Sequence, residues 1–137
     1  MELIYENKYG KAEYDRAARI VRTQYTGVAV TEAIKDYLSK VILFSEKQPI
    51  RHGITNLTQL KGTFTGAMDF IENEFYPKMI DNGLQTYAMV ISNDIFTKFA
   101  ADQLTKKIGG KLDWRVFSSI EDAEKWTGSM IASLRQK

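Results

Sequence analysis

The chain predicts an α/β fold built on a mixed, mostly parallel sheet of four to five strands, with an N-terminal antiparallel hairpin and four or so helices. Three observations carry that expectation. Runs rich in β-branched and aromatic residues alternate with stretches of helical periodicity, the pattern of strands joined by crossover helices. One run, Tyr87-Ala88-Met89-Val90-Ile91, is almost continuously apolar, as a central strand covered on both faces must be. The first strand-like runs are separated only by a short turn at Asp15-Arg16-Ala17, too little chain for a crossover, so they pair antiparallel.

The elements follow in order. Leu3–Glu6 reads as an edge strand, and Ala12–Tyr14 and Arg19–Tyr25 flank the turn, the latter ending at Thr26-Gly27. A first helix starts at Thr31 as N-cap and runs to about Lys47, before Pro49. Ile34, Tyr37, Leu38, Val41 and Ile42 form its buried stripe, and Leu43 and Phe44 widen it. Arg51–Leu57 is the next strand. A second helix begins near Thr65, with Ala67, Phe70, Ile71 and Phe75 at helical spacing. Pro77 must interrupt it or open a new turn, because its ring removes a donor and clashes one turn back. Gly83 is a C-cap candidate.

After the strand Gln85–Ser92, Ser92, Asn93 and Asp94 offer caps for a helix through Lys107, with Ile95, Phe96, Phe99, Ala100 and Leu104 facing inward. Gly109-Gly110 ends it and Asp113–Phe117 forms a last strand. Ser118 followed by Glu121 makes a capping box for a final helix whose inner face carries Ile120, Ala123, Trp126, Thr127, Met130, Ile131 and Leu134. No repeat, low-complexity tract or linker divides the 137 residues, so residues 1–137 read as a single domain.

Composition narrows the function. Hydrophobic residues make up 44% and charged residues 26%, an ordinary globular balance. Cysteine is absent, which excludes a disulfide scaffold, thiolate catalysis and Cys-ligated zinc. No charged segment followed by an apolar one opens the chain as a signal peptide would, and no apolar run approaches the length of a membrane span. A cytoplasmic location is the expectation. The net charge is +2, and the basic residues form no stripe with interleaved aromatics, so no nucleic-acid partner is expected. The densest basic group, Lys106-Lys107 with Lys111, lies where a helix ends and complements its dipole.

Candidate chemistry is sparse. His52 is the only histidine and the first choice for acid–base work, but it stands beside Arg51 and Gly53 at a strand start, with no serine in a nucleophile turn to partner it. No metal site and no catalytic set emerge. Asp69, Glu72 and Glu74 read as a solvated helix face. Asn56, Thr58 and Thr63 follow a strand, where open parallel sheets gather ligands, and with Gly66 they are candidate loop contacts. No Gly-rich phosphate loop or dinucleotide fingerprint is present, and no cofactor is expected. The apolar excess around Phe44, Phe64, Phe70, Phe75, Tyr76 and Tyr87 is a candidate pocket or interface.

Three segments carry a family resemblance. They are Tyr14-Asp15 leading through Arg19–Tyr25 to Thr26-Gly27, Gln85–Ser92 followed by Asn93-Asp94, and Arg115-Val116-Phe117-Ser118-Ser119-Ile120-Glu121-Asp122-Ala123-Glu124-Lys125-Trp126. With the element order, they resemble the STAS domain, in particular its divergent SpoIIAA-like (STAS/SEC14-like) branch. Regulatory members of that family carry a loop resembling Asp-Ser-Ser/Thr-Gly whose hydroxyl accepts phosphate from a partner kinase. The matching stretch here is Thr63-Phe64-Thr65-Gly66. Thr65 stands at the phosphoacceptor place, while Thr63 replaces the aspartate and Phe64 a small residue. Capping of the second helix is the other role open to Thr65.

The resemblance implies a non-enzymatic binding or regulatory module that contacts a protein partner or a second copy of itself through helices one and two. The alternative it leaves open is a carrier or sensor of a small lipophilic ligand, in a pocket lined by Phe64, Phe70, Phe75 and Tyr87. An enzyme using Asp or Glu with His52 is the least supported class.

Overall fold

A computed structural model of the chain describes residues 1–62, 64–92 and 95–135. The candidate contact Thr63 and the candidate caps Asn93 and Asp94 lie outside the described residues, as do the side chains of Ile95 and Phe96.

Six strands form one sheet in strictly sequential order. Strands β1 (Glu2–Glu6), β2 (Gly10–Asp15) and β3 (Ile20–Val28) form an antiparallel meander. From β3 onward every pairing is parallel, through β4 (His52–Lys61), β5 (Thr86–Ile91) and β6 (Asp113–Phe117). The fold class is the expected one, with six strands rather than four or five because both meander strands are full members of the sheet.

Sequential order decides where the helices go. Each parallel connection steps one strand in the same direction, and right-handed crossovers then place every connecting helix on one face. Helices α1 (Thr31–Ser45), α2 (residues 65–81) and α3 (Ile95–Ile108) accordingly share the large core with Tyr14, Val21, Tyr25, Tyr87 and Met89. Helix α4 (Ile120–Arg135) follows the last strand, is free of that constraint, and packs through Ala123 on Ile20, Ile54, Ala88 and Val90 of the opposite face.

Strand β4 runs four residues beyond its expected end. Gln24 of β3 faces Asn56, but Thr26 faces Gln59, so β4 holds one extra residue at Leu57-Thr58. The Asn56 carboxamide oxygen accepts from the Thr58 amide at 3.0 Å and the Thr58 hydroxyl at 2.7 Å, which stabilises the bulge. A bulge shifts the alternation, so Leu57 and Leu60, three apart, both reach the large core.

Helix α2 changes pitch along its length: a 3₁₀ turn at Thr65–Ala67, a short α segment at Met68–Phe70, π-type bonding over Ile71–Phe75 and α-helix again at Tyr76–Asp81. Pro77 sits at the start of that last segment. The expected interruption is a change of register rather than a break. A wider π turn before the proline relieves the collision its ring would have in a continuous α-helix.

Several local expectations are corrected. The N-cap of α1 is Val30, not Thr31, and no side-chain cap bond is made there. Thr65 does not cap α2; the residue before the 3₁₀ turn is Phe64, again without a side-chain bond. In the final helix the cap is one residue later than expected, with the Ser119 hydroxyl accepting from the Asp122 amide at 3.1 Å. Phe99 faces out at 60% exposure, because α3 turns Ala100, Ala101, Leu104 and Ile108 toward the core instead. Leu43 is likewise 54% exposed.

Candidate aromatic cavity

Between α1, α2 and the helix-bearing face of the sheet lies a small, partly enclosed cavity of about 30 Å³. That is roughly the share of liquid volume held by one water molecule. Tyr37 and Leu38 of α1, Phe64 and the α2 residues Ile71, Phe75 and Tyr76 form its roof, and Tyr25, Thr55, Tyr87 and Met89 form its floor. The rings interlock edge to face: Phe75 with Tyr76 at 5.0 Å between centroids, Tyr76 with Tyr87 at 5.1 Å. Tyr87 also stacks on Trp114 at 5.8 Å, and the Trp114 indole N–H donates to Thr105 Oγ1. Flat rings set at steep angles leave a gap that branched aliphatic side chains would fill.

Two strand glycines hold the tyrosines in place. A Cβ on Gly53 of β4 would overlap the Tyr87 ring, and one on Gly10 of β2 would overlap the Tyr37 ring. Gly10 opens β2 and Gly53 lies within β4, where glycine is otherwise unfavourable; the close approach of a ring accounts for both.

The polar groups in this region are hydroxyls. Thr23 donates to Thr55 at 2.6 Å across β3 and β4. Burial pushes the Tyr87 hydroxyl up from its ordinary pKa, opposed by hydrogen bonding with Thr23, Thr55 and Tyr76. Burial pushes Tyr37 and Tyr76 far up as well, with neighbouring tyrosines adding to the effect. All three therefore stay neutral at any physiological pH. The Tyr37 side chain is only 2% exposed and lines the cavity. Among the described residues, no acidic or basic side chain lines the cavity.

The sequence-predicted residues divide. Phe64, Phe75, Tyr76 and Tyr87 meet at the cavity. Phe70 is half-buried beside the core but does not line it, and Phe44 packs edge-on against Tyr14 at 4.9 Å. Asn56 and Thr58 are engaged with each other at the bulge. Thr65 and Gly66 are exposed in the 3₁₀ turn, with Gly66 against Thr31 of α1. His52 is buried and its Nδ1 lies 2.9 Å from the Thr86 hydroxyl. Three hydroxyl-bearing cavity residues, Tyr25, Tyr37 and Thr55, were not singled out as site residues by the sequence, nor were the aliphatic members of the lining. A usable signal was Tyr37, a hydroxyl-bearing ring within an otherwise aliphatic buried stripe.

The arrangement can enclose an apolar group and hydrogen-bond it. Among the described residues no cluster of His, Asp or Glu is placed to hold a metal ion, and no helix is long and apolar enough to cross a membrane. No protein-family model matches the chain, and the search of curated proteins finds no match.

Proposed function

We propose that this is a STAS-like, non-enzymatic binding module whose aromatic cavity receives a small, neutral, mostly apolar ligand. The observation that carries the proposal is the convergence of Tyr37, Tyr76, Tyr87 and Thr55 on a partly enclosed, mostly apolar space with no charged side chain among the described residues of its wall. Such a site favours a ligand with an apolar body and one hydrogen-bonding group. It disfavours an ion, whose burial without a countercharge costs several kcal/mol. The STAS/SEC14-like affiliation is supported by the antiparallel hairpin followed by a parallel sheet.

A ligand larger than water requires the roof to move. The segment suited to move is Ile71–Phe75, whose π-type bonding interrupts the helix directly over the cavity. Titration of the ¹⁵N-labelled protein with cyclohexanol and phenol tests the proposal. Saturable shifts at the Ile71–Phe75 amides and a raised Tm are expected. Native mass spectrometry of freshly purified protein should retain a neutral small mass that denaturing spray releases. The absence of both a retained mass and saturable shifts at millimolar probe would sink the proposal.

Contact with a protein partner or a second copy is a second reading, favoured by Leu43 on the outer side of α1. A dimer mass that Leu43→Glu converts to monomer would support it; a monomer throughout the micromolar range would remove the self-association form.

A further inference from the structure

At the opposite end of the sheet from the C-terminal strand ends, where β3, β4 and β5 begin, lies a groove of about 600 Å³. Ala17, Ala18, Ile131 and Leu134 give it an apolar wall, and Arg19 and Arg51 give it two cations. We propose that this groove binds a small amphiphilic anion, its carboxylate or phosphate between the two guanidinium groups and its short apolar tail along Ile131 and Leu134.

The backbone brings the arginines together. The Arg19 carbonyl accepts from both the Arg51 and the His52 amides, at 3.0 and 3.2 Å. Arg19 is also the one non-glycine residue with positive φ among those described, at 59°. It closes the β2–β3 turn, a position glycine or asparagine normally fills, and a bulky residue held there in the left-handed region marks a functional constraint. Arg51 has its own cradle. Its guanidinium lies 3.5 Å from the Asn82 carbonyl and over Gly83, where a Cβ would collide with it.

The charge is uncompensated. The other arginines near this end are paired, Arg16 with Glu2 and Arg22 with Glu124 and Asp15. Arg19 and Arg51 form no ion pair among the described residues, and no described carboxylate lines the groove. Tyr14 registers the cluster: burial raises its hydroxyl pKa, Arg16, Arg19 and Arg51 act to lower it, and Glu2 acts to raise it. Two uncompensated guanidinium groups beside an aliphatic wall match an anion with a tail, since the fork geometry of arginine suits carboxylate and phosphate oxygens.

Octanoate, acetate and octanol, titrated separately into the full-length labelled protein, test the site through the Arg51 Nε–H and Gln85 amide signals. Octanoate should shift both saturably, at least tenfold tighter than acetate or octanol. Equal binding of octanol would overturn the role of the arginines, and equal binding of acetate would overturn the role of the apolar wall. Arg19→Gly removes one cation while relieving the left-handed strain, so the fold is retained. It should weaken octanoate at least tenfold with the remaining spectrum unchanged; affinity within twofold of the parent overturns the proposal. Signals at Ile71–Phe75 report separately on the aromatic cavity, so failure at one site is distinguishable from failure at the other.

Discussion

The two faces of the sheet solve the problem of burial with different materials. On the face under α1, α2 and α3, the strands present Tyr25, Tyr87 and Trp114 with the hydroxyls of Thr23 and Thr55, and the helices answer with Tyr37, Phe75 and Tyr76. On the face under α4, the fully buried contact is made from Ile20, Ile54, Ala88, Val90 and Ala123, with Phe117 and Trp126 only partly buried at its margin. Small aliphatic groups let a helix lie close. Large flat rings bury more area for each residue but tile imperfectly, which leaves both the cavity and buried hydroxyls behind. The difference explains why the aromatic cavity lies on the face under α1, α2 and α3. The binding capacity of that face is a by-product of how its core is filled.

The largest test of this contrast is truncation on each face. Tyr87→Ala removes a fully buried ring touching Phe75, Tyr76 and Trp114 and should cost about 3–5 kcal/mol. Ile131→Ala, on the half-buried margin of α4, should cost about 1 kcal/mol, as partial loss of apolar burial implies. Urea denaturation of both variants measures the two values. Equal costs would show that the faces contribute alike and break the comparison.

Alkali should separate the faces next. Tyr37, Tyr76 and Tyr87 have pKa values raised above 10 by burial, whereas the same groups ionise near 10 once unfolded. Above pH 10 the unfolded chain gives up protons that the folded chain keeps, so stability is complete below pH 10 and falls as pH rises beyond it. The slope is at most about 1.4 kcal/mol per pH unit for each such tyrosine. Urea midpoints measured from pH 8 to 11 should stay flat and then fall, and Tyr76→Phe should remove one tyrosine's share of the fall. A decline already under way at pH 8 would mean that another group controls it.

Much of this architecture was legible in the sequence, and the exceptions have physical causes. The run Tyr87–Ile91 identified the central strand because burial on both faces leaves little room for polar residues. In α3, Ala100 and Leu104 face the core as expected, but Phe99 was placed inward because it outweighs Ala101 in hydropathy, although small alanines are what allow that helix to approach the sheet. The end of β4 was misjudged because the bulge at Leu57-Thr58 breaks strict alternation. The cap of α4 slipped by one because Ser118 and Ser119 both precede an acidic residue at the correct spacing. Of the candidate site, the aromatic members from residue 64 onward were visible as an apolar excess. Tyr25, Tyr37 and Thr55 were hidden because a cavity is a property of how elements meet, and no local pattern encodes it.

The smallest expected effect lies on the α4 side. Arg22 Nε and Nη2 donate to the two Glu124 carboxylate oxygens at 2.9 and 2.8 Å, a two-pronged link between β3 and a helix 102 residues further on. Its geometry is good, and the hydrogen bond and charge of Glu124 raise the Arg22 pKa against the effect of partial burial. Yet the two side chains remain 27% and 38% exposed, so water and salt screen them. A double-mutant cycle with Arg22→Met and Glu124→Gln should give a coupling below about 1 kcal/mol that fades toward zero at 1 M salt. The Tyr76–Tyr87 ring contact should show a coupling of about 0.5–1.5 kcal/mol that salt leaves unchanged. A large, salt-insensitive value for Arg22–Glu124 would mean that the open margin of the α4 face is drier than its exposure implies. The contrast between the faces would then be one of side-chain size alone, and no longer one of solvent access.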